Sequence, residues 1–159
     1  MINNIPDEVY NFFPPDYVFD GSEVLEMIKD MPVRPNYIEN RKPSFREDMY
    51  VELRNKHHPD RVVLPFGKES IEVFYLAVQE MYKIFNNMKG DYTIEKYNVL
   101  LSIHIDHDII NVAFCPKTVP TFEGSYLEIP CGGIYTNGPG VDFFYSLSDY
   151  TLIRRIFMR

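Results

Sequence analysis

A β-hairpin is predicted near the middle of the chain by residues 98–115, which read NVLLSIHIDHDIINVAFC. Apolar and β-branched residues flank the polar pair His107 and Asp108, which we place in a two-residue turn. This turn would pair His104 with Asn111. Because alternate residues of a strand share a face, one face would be wholly apolar. The other face would be solvated and would carry four polar residues, Ser102, His104, Asp106 and Asn111.

The alternating pattern of this hairpin extends over most of the chain after Gly90. Aromatic and β-branched residues dominate there and polar turns separate them, which predicts an antiparallel sheet. The expected strands are Asn98–Asp106, Ile109–Cys115, Tyr126–Pro130, Gly133–Thr136, Val141–Leu147 and Thr151–Met158, with turns at 137–140 and 148–149.

Helical periodicity in the first half of the chain predicts helices that pack on this sheet. Asp20 and Glu23 fit a capping box at the start of the first helix. The last helix has apolar residues at 3,4 spacing and is followed by Gly90 as its expected stop. Three helices are expected, at residues 20–31, 44–57 and 69–88, with a proline-rich loop at 32–43. The second helix would bury Phe45, Met49 and Leu53.

These patterns predict an α+β fold, with two or three N-terminal helices packed on a curved antiparallel sheet formed by the C-terminal half. The length fits one domain over residues 1–159. Residues 1–19 are rich in proline and aromatic residues, and we expect an extended arm whose aromatic side chains pack in a groove. Residues 20–90 should be mainly helical, and residues 91–159 should form the sheet.

The composition predicts a soluble, cytoplasmic protein with an acidic surface. Its net charge of −7 at pH 7 disfavours binding to nucleic acid and favours a basic partner. Cys115 and Cys131 are too few for a disulfide framework, so we expect reduced thiols. The residues after Met1 do not fit a signal peptide, and no apolar run is long enough to span a membrane.

His104 and Asp106 have the spacing of two ligands in a 2-His-1-carboxylate iron site, so a metal-dependent enzyme is one alternative. This fragment resembles the facial triad of iron oxygenases, whose second histidine comes from a later strand. No histidine follows His107, so His57 or His58 would have to supply the remaining ligand. A solvated strand face explains the same residues without a metal, and we expect no cofactor.

A second alternative comes from His58-Pro59-Asp60. Residues 44–88 resemble helix II, the His-Pro-Asp loop and helix III of J-domain co-chaperones. This resemblance implies a domain over residues 20–90 in which the three residues stimulate the ATPase of an Hsp70 partner. The same residues also fit a helix that simply ends before Pro59.

The C-terminal region carries a different resemblance. It contains Pro130-Cys131-Gly132-Gly133, then Gly138 to Tyr145, and then Leu152 to Arg155. This order of Gly-Gly turn, hydrophobic strand, polar turn and final strand resembles immunity proteins of bacterial toxin systems, including those with an NTF2-like sheet. The resemblance implies an α+β fold and a role in binding rather than catalysis.

We therefore expect a non-enzymatic immunity or inhibitor protein that binds one basic toxin, for example a nuclease. An acidic inhibitor gains steered association with such a partner. No residue is assigned to catalysis, and the oligomeric state is not predicted. The expected partner contacts are Asp106, His107, Asp108, Asp142 and Asp149.

Overall fold

The computed structural model describes residues 5–10, 12–29, 45–63, 66–117, 134–135 and 138–158. The helices in these ranges are α1 (Asp7–Tyr10), α2 (Gly21–Lys29), α3 (Phe45–His57) and α4 (Lys68–Asn86). The strands are β1 (Tyr17–Asp20), β2 (Tyr97–His104), β3 (Ile109–Pro116), β4 (Ile134–Tyr135), β5 (Gly138–Pro139), β6 (Val141–Ser146) and β7 (Leu152–Phe157). The protein therefore has the predicted α+β fold, with its helices in the N-terminal half.

Five strands form one antiparallel sheet in the order β1-β2-β3-β6-β7, and β4 pairs with β5 separately. The edge strand β1 comes from the segment predicted to be an extended arm, and its Tyr17 pairs with Leu101. The arm prediction is thus corrected, because this segment contains the one-turn helix α1 and a strand of the main sheet. The predicted strand 126–130 and the predicted loop 32–43 lie outside the described residues.

The β2–β3 hairpin forms with a register two residues away from the predicted one. His104 pairs with Ile109 instead of Asn111, because four residues rather than two connect the strands. Residues 105–107 form a 3-10 turn, and Asp108 follows with φ of 55°, a left-handed conformation that aspartate tolerates. An offset of two residues leaves each strand side chain on its predicted face, since the period of a strand is two.

The apolar face of the sheet is covered by α2 and α4. The capping box is confirmed, because the Asp20 backbone N–H donates to Glu23 Oε1 at 3.0 Å. α4 ends at Asn86 and is capped by the Asn87 backbone N–H rather than by Gly90. The core under these helices includes Val24, Met27, Phe74, Val78, Met81, Val99, Leu101, Val112, Phe114 and Phe143.

The second face of the sheet is covered as well, contrary to the expectation that it is solvated. α3 forms where predicted, but it buries Tyr50, which packs on Val18 and Leu100, while Met49 and Leu53 are only half-buried. The N-terminal segment covers the rest of this face. There Ile5 and Val9 pack against Ile109 and Phe144.

Candidate functional site

A pocket of about 730 Å³ opens where three segments of the chain meet. The segments are the N-terminal segment around α1, the connection between α3 and α4, and the end of β2 with the turn that follows it. The pocket brings the two histidine clusters of the sequence together. Its lining residues are Asp7, Glu8, Phe12, His58, Asp60, Arg61, Val62, Ile103, His104, Ile105, Asp106 and His107.

A buried ion pair lies beside this pocket and joins the three segments. Asp16 is 4% exposed, and its Oδ2 accepts hydrogen bonds from Arg61 Nη2 at 2.7 Å and from the Ile103 backbone N at 2.9 Å. Arg61 Nη2 also donates to the Ile103 carbonyl oxygen. Arg54 Nη1 donates to the Asp16 carbonyl oxygen at 2.8 Å, so α3 is tied to the same point. The positive charge of Arg61 is therefore compensated inside the protein.

His104 is the buried histidine of this group, with 6% of its surface exposed. Its Nδ1 lies 3.3 Å from Arg61 Nη1. Arginine can only donate, so Nδ1 accepts and the neutral ring carries its proton on Nε2. Burial, reinforced by the charge of Arg61, lowers the pKa of His104 to about 4. Within the described residues, the buried Nε2 has no hydrogen-bond partner.

We expect His104 to stay neutral, protonated on Nε2, until the pH falls to about 4. The pKa of an unfolded histidine is about 6.5, so protons bind the unfolded chain more tightly. The stability that depends on this ring is therefore complete above pH 6.5 and is lost as the pH falls towards 4. Two-dimensional ¹H–¹⁵N spectra of the imidazole nitrogens measure both the tautomer and the midpoint.

His104→Asn provides the control for this titration, because its side-chain oxygen keeps an acceptor near the position of Nδ1. The variant should lose the part of the acid destabilisation that His104 causes. A proton found on Nδ1 of the neutral ring would contradict the assigned tautomer, and a midpoint near 6.5 would contradict the buried and neutral state.

Phe12 forms the centre of an aromatic stack on one wall of the pocket. The Arg61 guanidinium lies 4.1 Å from the centre of its ring, and the His58 ring stacks on it with 4.5 Å between centroids. Both groups lie within 4.5 Å of the centre of the same ring. His104 contacts Phe12 edge-on at 4.9 Å. The predicted packing of the N-terminal aromatic residues in a groove therefore holds for Phe12, which lies between the two histidine clusters, whereas Tyr10 and Phe13 are 49% and 47% exposed.

The other two histidines of the pocket use the same nitrogen for an internal contact. His58 Nε2 lies 3.3 Å from the Phe13 carbonyl oxygen. His107 Nε2 lies 2.8 Å from Glu8 Oε2. Both partners are acceptors, so each Nε2 donates, and Nδ1 is the remaining nitrogen of each ring. In the neutral rings this nitrogen is an acceptor.

Four carboxylates line the pocket, and all four are exposed: Asp7, Glu8, Asp60 and Asp106. They come from three separate segments of the chain. Arg61 is the cation among the lining residues, and its charge is matched by buried Asp16. The exposed rim of the pocket therefore presents negative charge and hydrogen-bond acceptors, whereas the buried Nε2–H of His104 is a donor.

Of the predicted partner contacts, Asp106 and His107 line this pocket, and the other three do not. Asp108 accepts hydrogen bonds from the hydroxyls of Ser146 and Ser148, which tie the β2–β3 turn to the β6–β7 turn. Asp149 lies in that second turn, where it accepts from the Thr151 backbone N at 3.0 Å.

Asp142 lies further along β6, away from these turns. It is half-buried, and Asn111 Nδ2 donates to its Oδ1. Burial raises the pKa of Asp142 to about 7, and the hydrogen bond from Asn111 opposes this shift only in part. Such a carboxyl group is partly protonated at neutral pH, which makes it a poor contact for a basic partner.

The spacing of His104 and Asp106 does not produce a shared strand face. β2 ends at His104, which is buried, while Asp106 lies in the exposed turn beyond it. Among the residues that the structure describes, no group of three or more histidine, cysteine or acidic side chains is arranged to hold a metal ion.

Sequence reasoning missed Asp16, Arg61 and the role of Phe12. The buried position of Asp16 had one local signal, since it follows two prolines and precedes the apolar strand residues Val18 and Phe19. Nothing local indicates that Arg61, which is 45 residues away, would become its partner.

Comparisons with known proteins add no relative to this picture: no family model, curated protein or solved structure matches the chain. None of the described helices is long and apolar enough to cross a membrane. The function is therefore inferred from the geometry and charge of the pocket.

Proposed function

We propose that this protein is a non-enzymatic immunity or inhibitor protein of the bacterial cytoplasm, which binds a basic toxin domain and blocks it. The observation that carries this proposal is the convergence of four exposed carboxylates on one open pocket. An open pocket rimmed by acidic residues complements a protruding basic element of another protein.

The overall charge supports the same partner. A net charge of −7 attracts a basic protein over several ångströms beyond contact and raises the association rate. The compensation of Arg61 by Asp16 strengthens this effect locally, because the cation nearest the pocket adds little positive potential.

The two alternative functions have less support from the geometry. A co-chaperone would use the His58-Pro59-Asp60 segment, in which Pro59 and Asp60 are exposed but the His58 ring is held by Phe12 and Phe13. An iron enzyme would need His104 and Asp106 on one face, and they lie on different elements.

The proposal is tested by capture followed by a protection assay. The tagged full-length chain should recover one near-stoichiometric basic protein from its native cells. That protein should arrest growth when it is expressed alone in a host, and co-expression of the chain should restore growth. The association rate constant should fall at least about tenfold between low and high salt, because the attraction is screened.

The proposal is contradicted if the captured protein is not toxic, or if co-expression of the chain leaves its toxicity unchanged. Capture alone does not support the function, because an acidic protein binds many basic proteins weakly.

A further inference from the structure

We propose that the pocket binds an arginine side chain of the partner, held by the carboxylates at the rim and packed against the aromatic stack. This inference rests on the proposed function and names the chemical group that the same site recognises.

The first support is the distribution of donors and acceptors. The exposed carboxylates of the rim only accept hydrogen bonds when they are ionised. His58 and His107 already use Nε2 as a donor inside the protein, so Nδ1 is the acceptor when either ring is neutral. A group with several donors and no acceptor is the complement of this exposed rim, and the guanidinium, with five N–H donors, is such a group.

The second support is that the charge of Arg61 is compensated by partners inside the protein. Without them, Arg61 would repel a cation in the pocket. Its guanidinium donates to Asp16, to the Ile103 carbonyl oxygen and to His104 Nδ1, and Phe12 covers its face. The Asp16 side chain is 1% exposed and the Arg61 side chain 19%, so the charge of Arg61 is matched by a buried carboxylate. Glu8 is already held by His107, so Asp7, Asp60 and Asp106 are the carboxylates of the rim that would meet an incoming cation.

The third support distinguishes arginine from lysine. The pocket wall already packs one guanidinium against an aromatic ring, with Arg61 4.1 Å from the centre of Phe12, and the His58 ring stacks on Phe12 as well. A planar guanidinium stacks on such rings and bridges two carboxylates, whereas an ammonium group is a compact and strongly hydrated point charge. The volume of about 730 Å³ leaves room for the side chain together with the backbone that carries it.

The test uses the purified full-length chain and three peptides that differ at one position. The probe is acetyl-Gly-Gly-Arg-Gly-Gly-amide, and the other two peptides carry lysine or citrulline in place of arginine. Titrations followed by ¹H–¹⁵N NMR should shift the backbone amides of Asp60, Asp106 and His107. We expect the arginine peptide to bind about fivefold to tenfold more tightly than the lysine peptide, and the neutral citrulline peptide to bind more weakly still.

A pair of double variants separates the pocket from the overall charge. Asp60→Asn with Asp106→Asn should weaken binding of the arginine peptide at least about fivefold, because it removes two rim charges. Glu26→Gln with Glu52→Gln removes the same charge from exposed positions on α2 and α3 that do not line the pocket. This control pair should change the dissociation constant less than about twofold.

Three results would overturn the inference. They are equal affinity for the arginine and lysine peptides, amide shifts that avoid the pocket, and an equal loss of affinity in both double variants. If one of them occurs while the chain still protects cells from its toxin, the proposed function stands and the pocket assignment fails. If the chain binds the arginine peptide specifically but does not protect cells, the pocket assignment stands and the proposed function fails.

Discussion

Replacement of Asp16 by alanine should lower the free energy of unfolding by about 3–5 kcal/mol, because Arg61 then keeps its charge without a buried partner. The change also leaves the Ile103 backbone N–H without the carboxylate oxygen that accepts from it at 2.9 Å. For a chain of this length, the melting temperature should fall by about 10 °C.

Urea denaturation measures this loss, and a double variant identifies its cause. Asp16→Ala combined with Arg61→Met removes both charges and should recover at least about half of the lost stability. Glu52→Ala, at an exposed position on α3, should change the stability by less than about 0.5 kcal/mol. If Asp16→Ala alone costs under about 1 kcal/mol, the ion pair is solvated and the account of the site is wrong.

Replacement of Phe144 by alanine should lower the free energy of unfolding by about 3–5 kcal/mol, although this side chain lies on the sheet face opposite the main core. The ring is 1% exposed, and it packs with Ile109 against Ile5 and Val9 of the N-terminal segment. Tyr10 stacks on it with 6.4 Å between centroids. The alanine variant leaves a cavity between the sheet and this segment, so α1 should loosen.

Hydrogen exchange distinguishes this effect from a general loss of stability. The amides of Val9 and Tyr10, which bond to the Pro6 carbonyl oxygen, should exchange faster in Phe144→Ala than global unfolding requires. Phe157→Ala on β7 is the control, because its side chain is 46% exposed and its removal should cost about 1 kcal/mol or less. Similar small losses in both variants would mean that the second face is open to solvent.

The regular elements could be predicted because their signals are local. The periodicity of α4 and the capping box of α2 lie within single segments of the chain, and both helices occur within two residues of the expected bounds. The prediction of which hairpin residues share a face was also correct, since the alternation of side chains along a strand is enough to assign them. The predicted register of the hairpin was wrong because the turn contains four residues instead of two. The left-handed conformation of Asp108 at the end of this turn has no clear sequence signal.

The covering of the second face could not be predicted from the hairpin. Ser102 and His104 look like solvated residues in the strand pattern, yet they are 2% and 6% exposed. Their face of the sheet is covered by distant segments: Phe12 contacts His104, Tyr50 packs on Leu100, and Val9 packs on Ile109, and the partners of each pair are at least 50 residues apart. Propensity and period describe neighbours along the chain and contain no information about such contacts.

In the candidate site too, some features follow from local sequence and others from contacts between distant segments. The α+β architecture, the acidic charge and the residue types of the two histidine clusters follow from local sequence patterns and composition alone. The packing of distant segments brings these clusters into one pocket and pairs Asp16 with Arg61. It also ties His107 to Glu8 and Asp108 to Ser148, and it leaves Asp106 exposed at the rim. The physical reason is that hydrogen bonds and charge pairs depend on distances of a few ångströms, and the chain sets those distances only when distant segments pack on the same sheet.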